Sequence, residues 1–525
     1  MVMAPWDNAI PLTRGWCLFE IYCATIANNK FEIAMNKLHH DKFFEDLLQS
    51  VPETVGKVLA LIDVEKSECL RNEDKERILE AVKFSVGFSG VNRMVFERLL
   101  DWMVEVTIDA IPKETEEGKI IYLRFILAGL YESQGKYGLS LPLYEDCLRE
   151  QEKLLGAKHP DLLRSLNNFA GLYKSMGDYS RALPLYEDCL RKREGVLGAK
   201  HPDTLITLNC LAGLYKNMGE FNQARPLYED CLRKQEKVLG AKHPNTLTTI
   251  NILAGLYSSM GEFARALPLY KDCLRKCEEV LGVKHPNTLT CLDCLAGIYE
   301  NMGEHTRALT LYEDCLRKRE EVLGVKTPDT LTTLNNFAGL YKSMGDYSRA
   351  LPLYEDCLRK REKVLGAKHP DTLITLNCLA GLYKNMGEFN QARPLYEDCL
   401  RKTEKVLGAK HPNTLSTLNN LALLYMGMGE HTRALPLYED CLRKQEEVLG
   451  AKHPSTLISL NNLAGLYESM GEHTRALPLY EDCLRKREEV LGAKHPDTLG
   501  SREGLVVMYE KLGNHDLANR LRSQS

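Results

Sequence analysis

The sequence lacks a charge excess of either sign. Its 525 residues carry 68 Lys and Arg against 72 Asp and Glu, a formal net charge of -4. That balance leaves no electrostatic footprint for nucleic acid or an anionic membrane. No stretch approaches the roughly 20 apolar residues of a membrane span. The N-terminus shows no basic region followed by an apolar run, so no secretory signal is visible. There is no phosphate-binding Gly-x4-Gly-Lys-Ser/Thr loop and no His-Glu-x2-His helix. Tryptophan is scarce: Trp6, Trp16 and Trp102 are the three, and all lie near the N-terminus. The expectation is a cytoplasmic protein with no cofactor and no metal. Cysteine is plentiful at 17 residues. Without a secretory signal these read as reduced thiols.

What is present is a period. His-Pro occurs at His159, His201, His243, His285, His369, His411, His453 and His495, and Thr327-Pro328 fills the gap. Every step is 42 residues. Glycine keeps the same step from Gly135 to Gly513, and cysteine from Cys147 to Cys483. In the unit from Pro160 to His201, Leu166, Phe169, Ala170 and Tyr173 fall at i, i+3, i+4 and i+7, one apolar face of a helix. Pro160 starts that helix and Gly177 breaks it. A second amphipathic run from Tyr179 to Leu197 places Ala182, Leu183, Tyr186, Cys189 and Leu190 on one side, and Gly198 ends it. Each unit is two antiparallel helices. One pair cannot bury its face alone, so neighbours stack.

The unit resembles a tetratricopeptide repeat (TPR) on Leu166-x2-Phe169-Ala170-x2-Tyr173, Gly177, Ala182-x3-Tyr186 and Pro202. Leu-Asn-Asn-Leu-Ala-x-Leu-Tyr, Arg-Glu-x-Val-Leu-Gly and His-Pro-Asp at this period look like the kinesin light chain and nephrocystin-3-like repeats. The resemblance covers about residues 119–525. It implies an all-α, right-handed superhelical solenoid, preceded by a small α/β or mostly helical N-terminal segment. The layout is a segment over 1–111, a linker over 112–118, nine repeat units over 119–496 and a capping helix pair over 497–525. Residues 166–247 and 334–415 differ only at Gly195/Lys363 and Gln235/Thr403, which marks a duplicated four-unit block.

In this kind of fold the first helices line the concave face. Opposite the core stripe stand Arg164, Asn167, Asn168 and Lys174. An asparagine recurs as Asn167, Asn209, Asn251, Asn335, Asn377, Asn419 and Asn461, with Asp293 as the exception. An amide offers donors and an acceptor to a peptide backbone, or ties neighbouring helices in a ladder. The next position varies: Asn168, Cys210, Ile252, Cys294, Asn336, Cys378, Asn420 and Asn462. The kinesin light chain resemblance implies cargo-peptide contacts at Asn168, Asn336, Asn420 and Asn462. It also implies acidic-peptide binding by Lys174, Lys216, Lys342 and Lys384, and by Arg193, Arg319, Arg361 and Arg487 near the ends of second helices. The competing reading of these charges is a solvated face.

The nine cysteines from Cys147 to Cys483 stand where the family has a small residue and read as buried apolar groups. Packed helices lie roughly 8–10 Å apart, so bridges between units are not expected. Cys291 and Cys294 form one Cys-x2-Cys pair without a second, which speaks against zinc. The repeated histidines read as loop caps.

Residues 1–111 lack the period. They read as a strand at Val2–Ala4, a helix over about 12–27, a second strand at Phe31–Met35 and helices around 41–62, 73–86 and 92–110. Arg14-Gly-Trp16-Cys17-Leu18-Phe19-Glu20-Ile21 resembles the Trp-Cys-Leu-x-Glu-Leu box of Toll/interleukin-receptor (TIR) domains. That resemblance implies Glu20 as catalytic acid in an NAD-cleaving enzyme. The leading expectation is a non-enzymatic adaptor that holds short acidic peptide segments of other proteins. The alternative is a TIR-like signalling protein with the repeats as its sensor. No sustained heptad is present to grip a kinesin heavy chain.

Overall fold

The computed structural model describes residues 87–323, 325 and 327–523, together with Ile21 and Lys42. All regular elements among the described residues are helices. Helix α1 spans Gly87–Ala110, and a 3-10 turn at Ile111–Lys113 follows. Helix pairs then succeed one another. They are α2 (Glu117–Ser133) with α3 (Tyr137–Leu155), α4 (Pro160–Ser175) with α5 (Tyr179–Leu197), and α6 (Pro202–Asn217) with α7 (Phe221–Val238). Next come α8 (Pro244–Ser259) with α9 (Phe263–Leu281), α10 (Pro286–Asn301) with α11 (His305–Leu323), and α12 (Pro328–Ser343) with α13 (Tyr347–Val364). Then follow α14 (Pro370–Asn385) with α15 (Phe389–Leu407), α16 (Pro412–Gly427) with α17 (His431–Val448), and α18 (Pro454–Ser469) with α19 (His473–Val490). The series ends on α20 (Pro496–Lys511) and the short α21 (His515–Ser523). The all-α repeat architecture expected from the period is therefore the one observed. The strands expected near the N-terminus, together with Trp6, Trp16 and Glu20, lie outside the described residues.

Each unit starts and stops for identifiable reasons. His201 is the N-cap of α6, and its Nδ1 accepts the Asp203 amide at 3.2 Å. Pro202 follows at the first helical position, where a missing N–H is harmless. His243, His285, His411, His453 and His495 cap their helices in the same way. At Thr327 a hydroxyl takes over and accepts the Thr330 amide at 3.4 Å. At the other end, Gly198 closes α5 at φ 91, a conformation that strains any residue with a Cβ.

The chain divides into two compact units. One includes the described residues up to 172 with 319–332 and 355–372; the other holds 173–318, 333–354 and 373 onward. In the first, Arg124 grips Glu150 through two contacts of 2.9 and 2.8 Å, and Phe125 meets Tyr144 edge-on at 5.3 Å. In the second, Leu205, Leu208 and Cys231 form a buried cluster, and the same trio returns as Leu415, Leu418 and Cys441. The cysteine column behaves as small buried groups that donate to a backbone carbonyl, as Cys231 does to Leu205 at 3.4 Å. Burial pushes the Cys231 thiol up to about 12, so it is inert near neutrality. Tyrosines tie one unit to the next: Tyr257 donates to Glu229 at 2.7 Å and Tyr425 to Glu397 at 2.8 Å.

Within the second unit, helix ends six repeats apart also meet. His411 Nε2 lies 3.2 Å from the Ser175 carbonyl, and His453 Nε2 lies 3.0 Å from the Asn217 carbonyl. Gly219 sits in this contact at φ 73, and a Cβ there would stand 2.5 Å from Pro454 Cδ. Glycine is thus required twice over, by its dihedral and by its neighbour. In the C-terminal pair, Arg502 is buried at 3% exposure and pairs with Glu488 at 2.7 Å.

Candidate peptide-binding face

Within the second compact unit, first helices of consecutive repeats stand side by side, as α8 does with α10 and α16 with α18, and their side chains fall into three columns. The first column is the recurring asparagine. The amide ladder is formed where the following unit supplies a donor. Asn336 donates to Asp293 at 3.0 Å, Asn420 to Asn377 at 3.3 Å and Asn462 to Asn419 at 3.3 Å. Asn461 accepts from Ser501 at 3.2 Å. Where the next unit carries Ile252, Cys294 or Cys378 instead, the buried Oδ1 of Asn209, Asn251 or Asn335 receives no hydrogen bond. The Oδ1 of Asn167 receives none either. Asn336, Asn420 and Asn462, expected at the peptide, are therefore engaged in inter-helix bonds. Asn168 and Arg164 are exposed, and Arg164 pairs with Asp161 at 3.0 Å.

The second column holds the lysines, in the last turns of α4, α6, α12 and α14. Each is half-buried, and none forms an ion pair with a described residue. The glycine column makes room for them. A Cβ on Gly213 would stand 3.4 Å from Lys174 Nζ and 3.1 Å from the Tyr228 hydroxyl. On Gly255 it would stand 3.4 Å from Lys216 Nζ, and on Gly381 2.9 Å from Lys342 Nζ. Burial lowers the pKa of Lys216, with Lys174 adding repulsion. Burial also lowers Lys342, and it lowers Lys384 with a further push from Lys342. Each pair is thus a concentrated, poorly solvated positive charge without a carboxylate partner. Elsewhere the column reads Glu132, Ser258, Glu300, Met426 and Glu468, and its glutamates are satisfied from within. Glu468 accepts from Tyr480 at 2.8 Å and from Lys511 at 2.6 Å, and Glu132 accepts from Tyr144 at 3.3 Å.

The arginines expected in the groove are placed elsewhere. Arg193 and Arg319 are 4% exposed, Arg361 3% and Arg487 6%. Arg193 follows Ala182, Tyr186 and Cys189 on one stripe, so it continues the buried face of α5. Its guanidinium donates to the Asp203 carbonyl at 2.6 Å and to Thr207 at 2.9 Å. Arg319 reaches Asp329, Arg361 reaches Asp371 and Arg487 reaches Asp497 in the same way, at 2.6–2.7 Å. These four fasten each second helix to the start of the next unit. The stripe spacing alone points there, once Arg193 is counted with the residues before it.

One feature escaped linear spacing. Cys277 occupies the arginine column and Cys291 the Thr207 column, so with Cys273 they bring three buried thiols together. Aligning the units column by column exposes both replacements. Glu20 lies outside the described residues, and no geometry bears on it.

Successive helix pairs of this kind define a helical-repeat interaction scaffold, a fold that is generally non-enzymatic. The chain belongs to the tetratricopeptide repeat family: its pattern matches residues 121–195, 203–279, 288–363, 329–401, 371–446, 415–489 and 463–522. Among solved structures, a Podosopora anserina protein of nearly identical TPR-like repeats, named for the kinesin light chain, is 28% identical. It covers 39% of this chain and 97% of its own, with a TM-score of 0.33. BtubC (BKLC) from P. vanneervenii is 19% identical over 44% of this chain and 91% of its own, at 0.35. A Rap protein complexed with competence and sporulation factor is 14% identical over 78% of this chain and 100% of its own, at 0.43. No curated protein sequence matches the chain. Among the described residues, no helix is long and apolar enough to cross a membrane.

Proposed function

We propose that this protein is a non-enzymatic adaptor whose first-helix face holds short acidic segments of partner proteins, in the manner of a kinesin light chain. One observation carries the reading: Lys174, Lys216, Lys342 and Lys384 are half-buried, with no carboxylate among the described residues to pair with. Confining a lysine in low dielectric costs free energy that an incoming carboxylate offsets, through a charge-assisted hydrogen bond. The orphaned oxygens of Asn167, Asn209 and Asn335 lie on the same helices as Lys174, Lys216 and Lys342. An extended peptide backbone carries the N–H groups such acceptors need. Ser258 and Glu300 separate the two lysine pairs, and Glu132 and Glu468 flank them, which makes the face selective for spacing as well as charge.

The test is direct binding of a fluorescent glutamate-rich peptide to the full-length protein. Lys174→Glu with Lys216→Glu should weaken binding at least tenfold, about 1.4 kcal/mol. The equivalent reversal at Lys342 and Lys384 should do the same. Raised salt should weaken wild-type binding. Affinity that survives both reversals refutes the proposal.

A further inference from the structure

The two columns that fasten one unit to the next are Arg, Gln or Thr on the second helix and Thr or Ser on the first helix that follows. The first column reads Gln151, Arg193, Gln235, Arg319, Arg361, Thr403, Gln445 and Arg487, and the second Ser165, Thr207, Thr249, Thr333, Thr375, Thr417, Ser459 and Ser501. At α9 and α10 both columns change together, to Cys277 and Cys291. Cys273, the ordinary cysteine of the repeat, lies one turn before Cys277. The counterpart four units on keeps Cys441 but carries Gln445 and Ser459. An isolated thiol in this column is an inert filler. A pair of replacements that converge on it is a different feature.

The three sulfurs all lie within 4.8 Å of one another, with Cys273 to Cys291 at 3.3 Å and Cys277 to Cys291 at 3.6 Å. An ion with Zn–S bonds of about 2.3 Å in tetrahedral coordination holds its sulfurs roughly 3.8 Å apart. The trio meets that spacing with small side-chain shifts. Leu247 and Ile250 pack around it, so water does not compete from that side. On the other side Cys277 and Cys291 line a cavity of about 130 Å³ whose wall also carries Asn251, Asn287 and Thr290. Among the described residues this is the one trio of His, Cys, Asp or Glu side chains close enough to share an ion.

We propose that Cys273, Cys277 and Cys291 bind a thiophilic metal ion as three thiolates, with a fourth coordination position opening into the adjacent cavity. Three S–H bonds break, three metal–sulfur bonds form and three protons pass to solvent. No electron is transferred. Affinity therefore falls steeply as pH falls. A water or an oxygen donor reaching through the cavity completes the shell, an open arrangement rather than a closed structural one. Because the ion bridges α9 and α10, it also replaces the fastening that Arg193 and Thr207 provide elsewhere.

Zinc alone is the first probe, added to the reduced full-length protein in competition with a chromophoric chelator. Cadmium, read by its thiolate charge-transfer absorption, is the second. The control restores the repeat's own residues, Cys277→Arg with Cys291→Thr; a second control, Cys277→Gln with Cys291→Ser, copies the unit four repeats on. Both contain residues that this scaffold already accommodates in these columns. Wild type should bind one more equivalent of zinc than either control, and zinc should raise its melting temperature but not theirs. The cadmium band should shrink by that equivalent. Equal zinc stoichiometry in wild type and in a folded control overturns the proposal, as does a zinc-independent melting temperature.

Discussion

Residues 166–247 and 334–415 are the same sequence but for two positions, and the units between them are not. In both copies a lysine approaches the glycine of the following first helix, Lys174 at Gly213 and Lys342 at Gly381. In both, an arginine is fastened to the next unit, Arg193 to Asp203 and Arg361 to Asp371. In the intervening units the lysine column turns to Ser258 and Glu300, and in one of them the fastening pair turns to Cys277 and Cys291. Packing therefore fixes the leucine, alanine, tyrosine and glycine columns throughout. Chemistry is written in a few columns whose backbone geometry is already guaranteed by the rest.

The same comparison isolates a contact that the repeats make with one another at long range. Gly219 and Gly387 are twins, at φ 73 and 79. Only Gly219 stands against a proline; nothing lies within 4 Å of a Cβ placed on Gly387. Alanine at either position costs roughly 1–2 kcal/mol for the left-handed backbone. At Gly219 the clash with Pro454 adds about 1–3 kcal/mol of overpacking. Thermal unfolding of Gly219→Ala and Gly387→Ala should therefore separate, with Gly219→Ala the less stable. Equal losses would mean that helix ends six repeats apart do not touch.

How much of this was readable beforehand differs by kind of feature. The helix bounds were open to reading, because proline, histidine and glycine mark every unit. The fastening arginines were readable in principle, since Arg193 extends the stripe of Ala182, Tyr186 and Cys189, yet charge argued for an exposed site. The asparagine ladder was visible as one of two readings, and bonds such as that from Asn420 to Asn377 realise it. The contact of His453 with Asn217 was not readable, because it depends on rotation accumulated over six units, which no local pattern encodes. The thiol trio is not legible in linear spacing, because the pair that spacing suggests, Cys291 and Cys294, mixes two faces of one helix. Both partners of Cys291, Cys273 and Cys277, come from the helix before.

The fastening column offers the next test. Arg193→Ala removes a buried donor from the Asp203 carbonyl and from Thr207, which should cost roughly 1.5–3 kcal/mol. Arg193→Gln, the residue found at Gln235, should lose less. Long repeat arrays do not unfold in one step. Amide exchange in the first turn of α6 is therefore the sharper readout, and it should quicken in the alanine variant. Arg361→Ala should match or exceed it, because Arg361 also donates to Thr332 at 2.9 Å. If Arg193→Ala left exchange unchanged, the equivalence between the copies would fail at this column.

The smallest effect concerns pH. His453 Nδ1 accepts the Ser455 amide at 3.0 Å, and its Nε2 faces the Asn217 carbonyl at 3.0 Å. Both bonds fit the neutral ring with its proton on Nε2; a second proton on Nδ1 would remove the cap acceptor. Burial accordingly lowers the His453 pKa, partly offset by the Asn217 carbonyl. In the unfolded chain the ring titrates near the ordinary value of about 6.5. Below that pH the unfolded state takes up a proton that the folded state refuses. Stability is thus fully present above about pH 6.5 and is lost as pH falls toward the lowered folded value. His453→Thr retains a capping oxygen, as Thr327 does in its own unit, and removes the titration. At neutral pH this variant should be less stable by roughly 0.5–1.5 kcal/mol, for the lost bond to Asn217. On acidification the gap should close, because only the wild type loses the histidine contribution. A gap that stays constant between pH 7.5 and 5 would show that His453 titrates freely, and the long-range contact would then be a weaker constraint than its geometry implies.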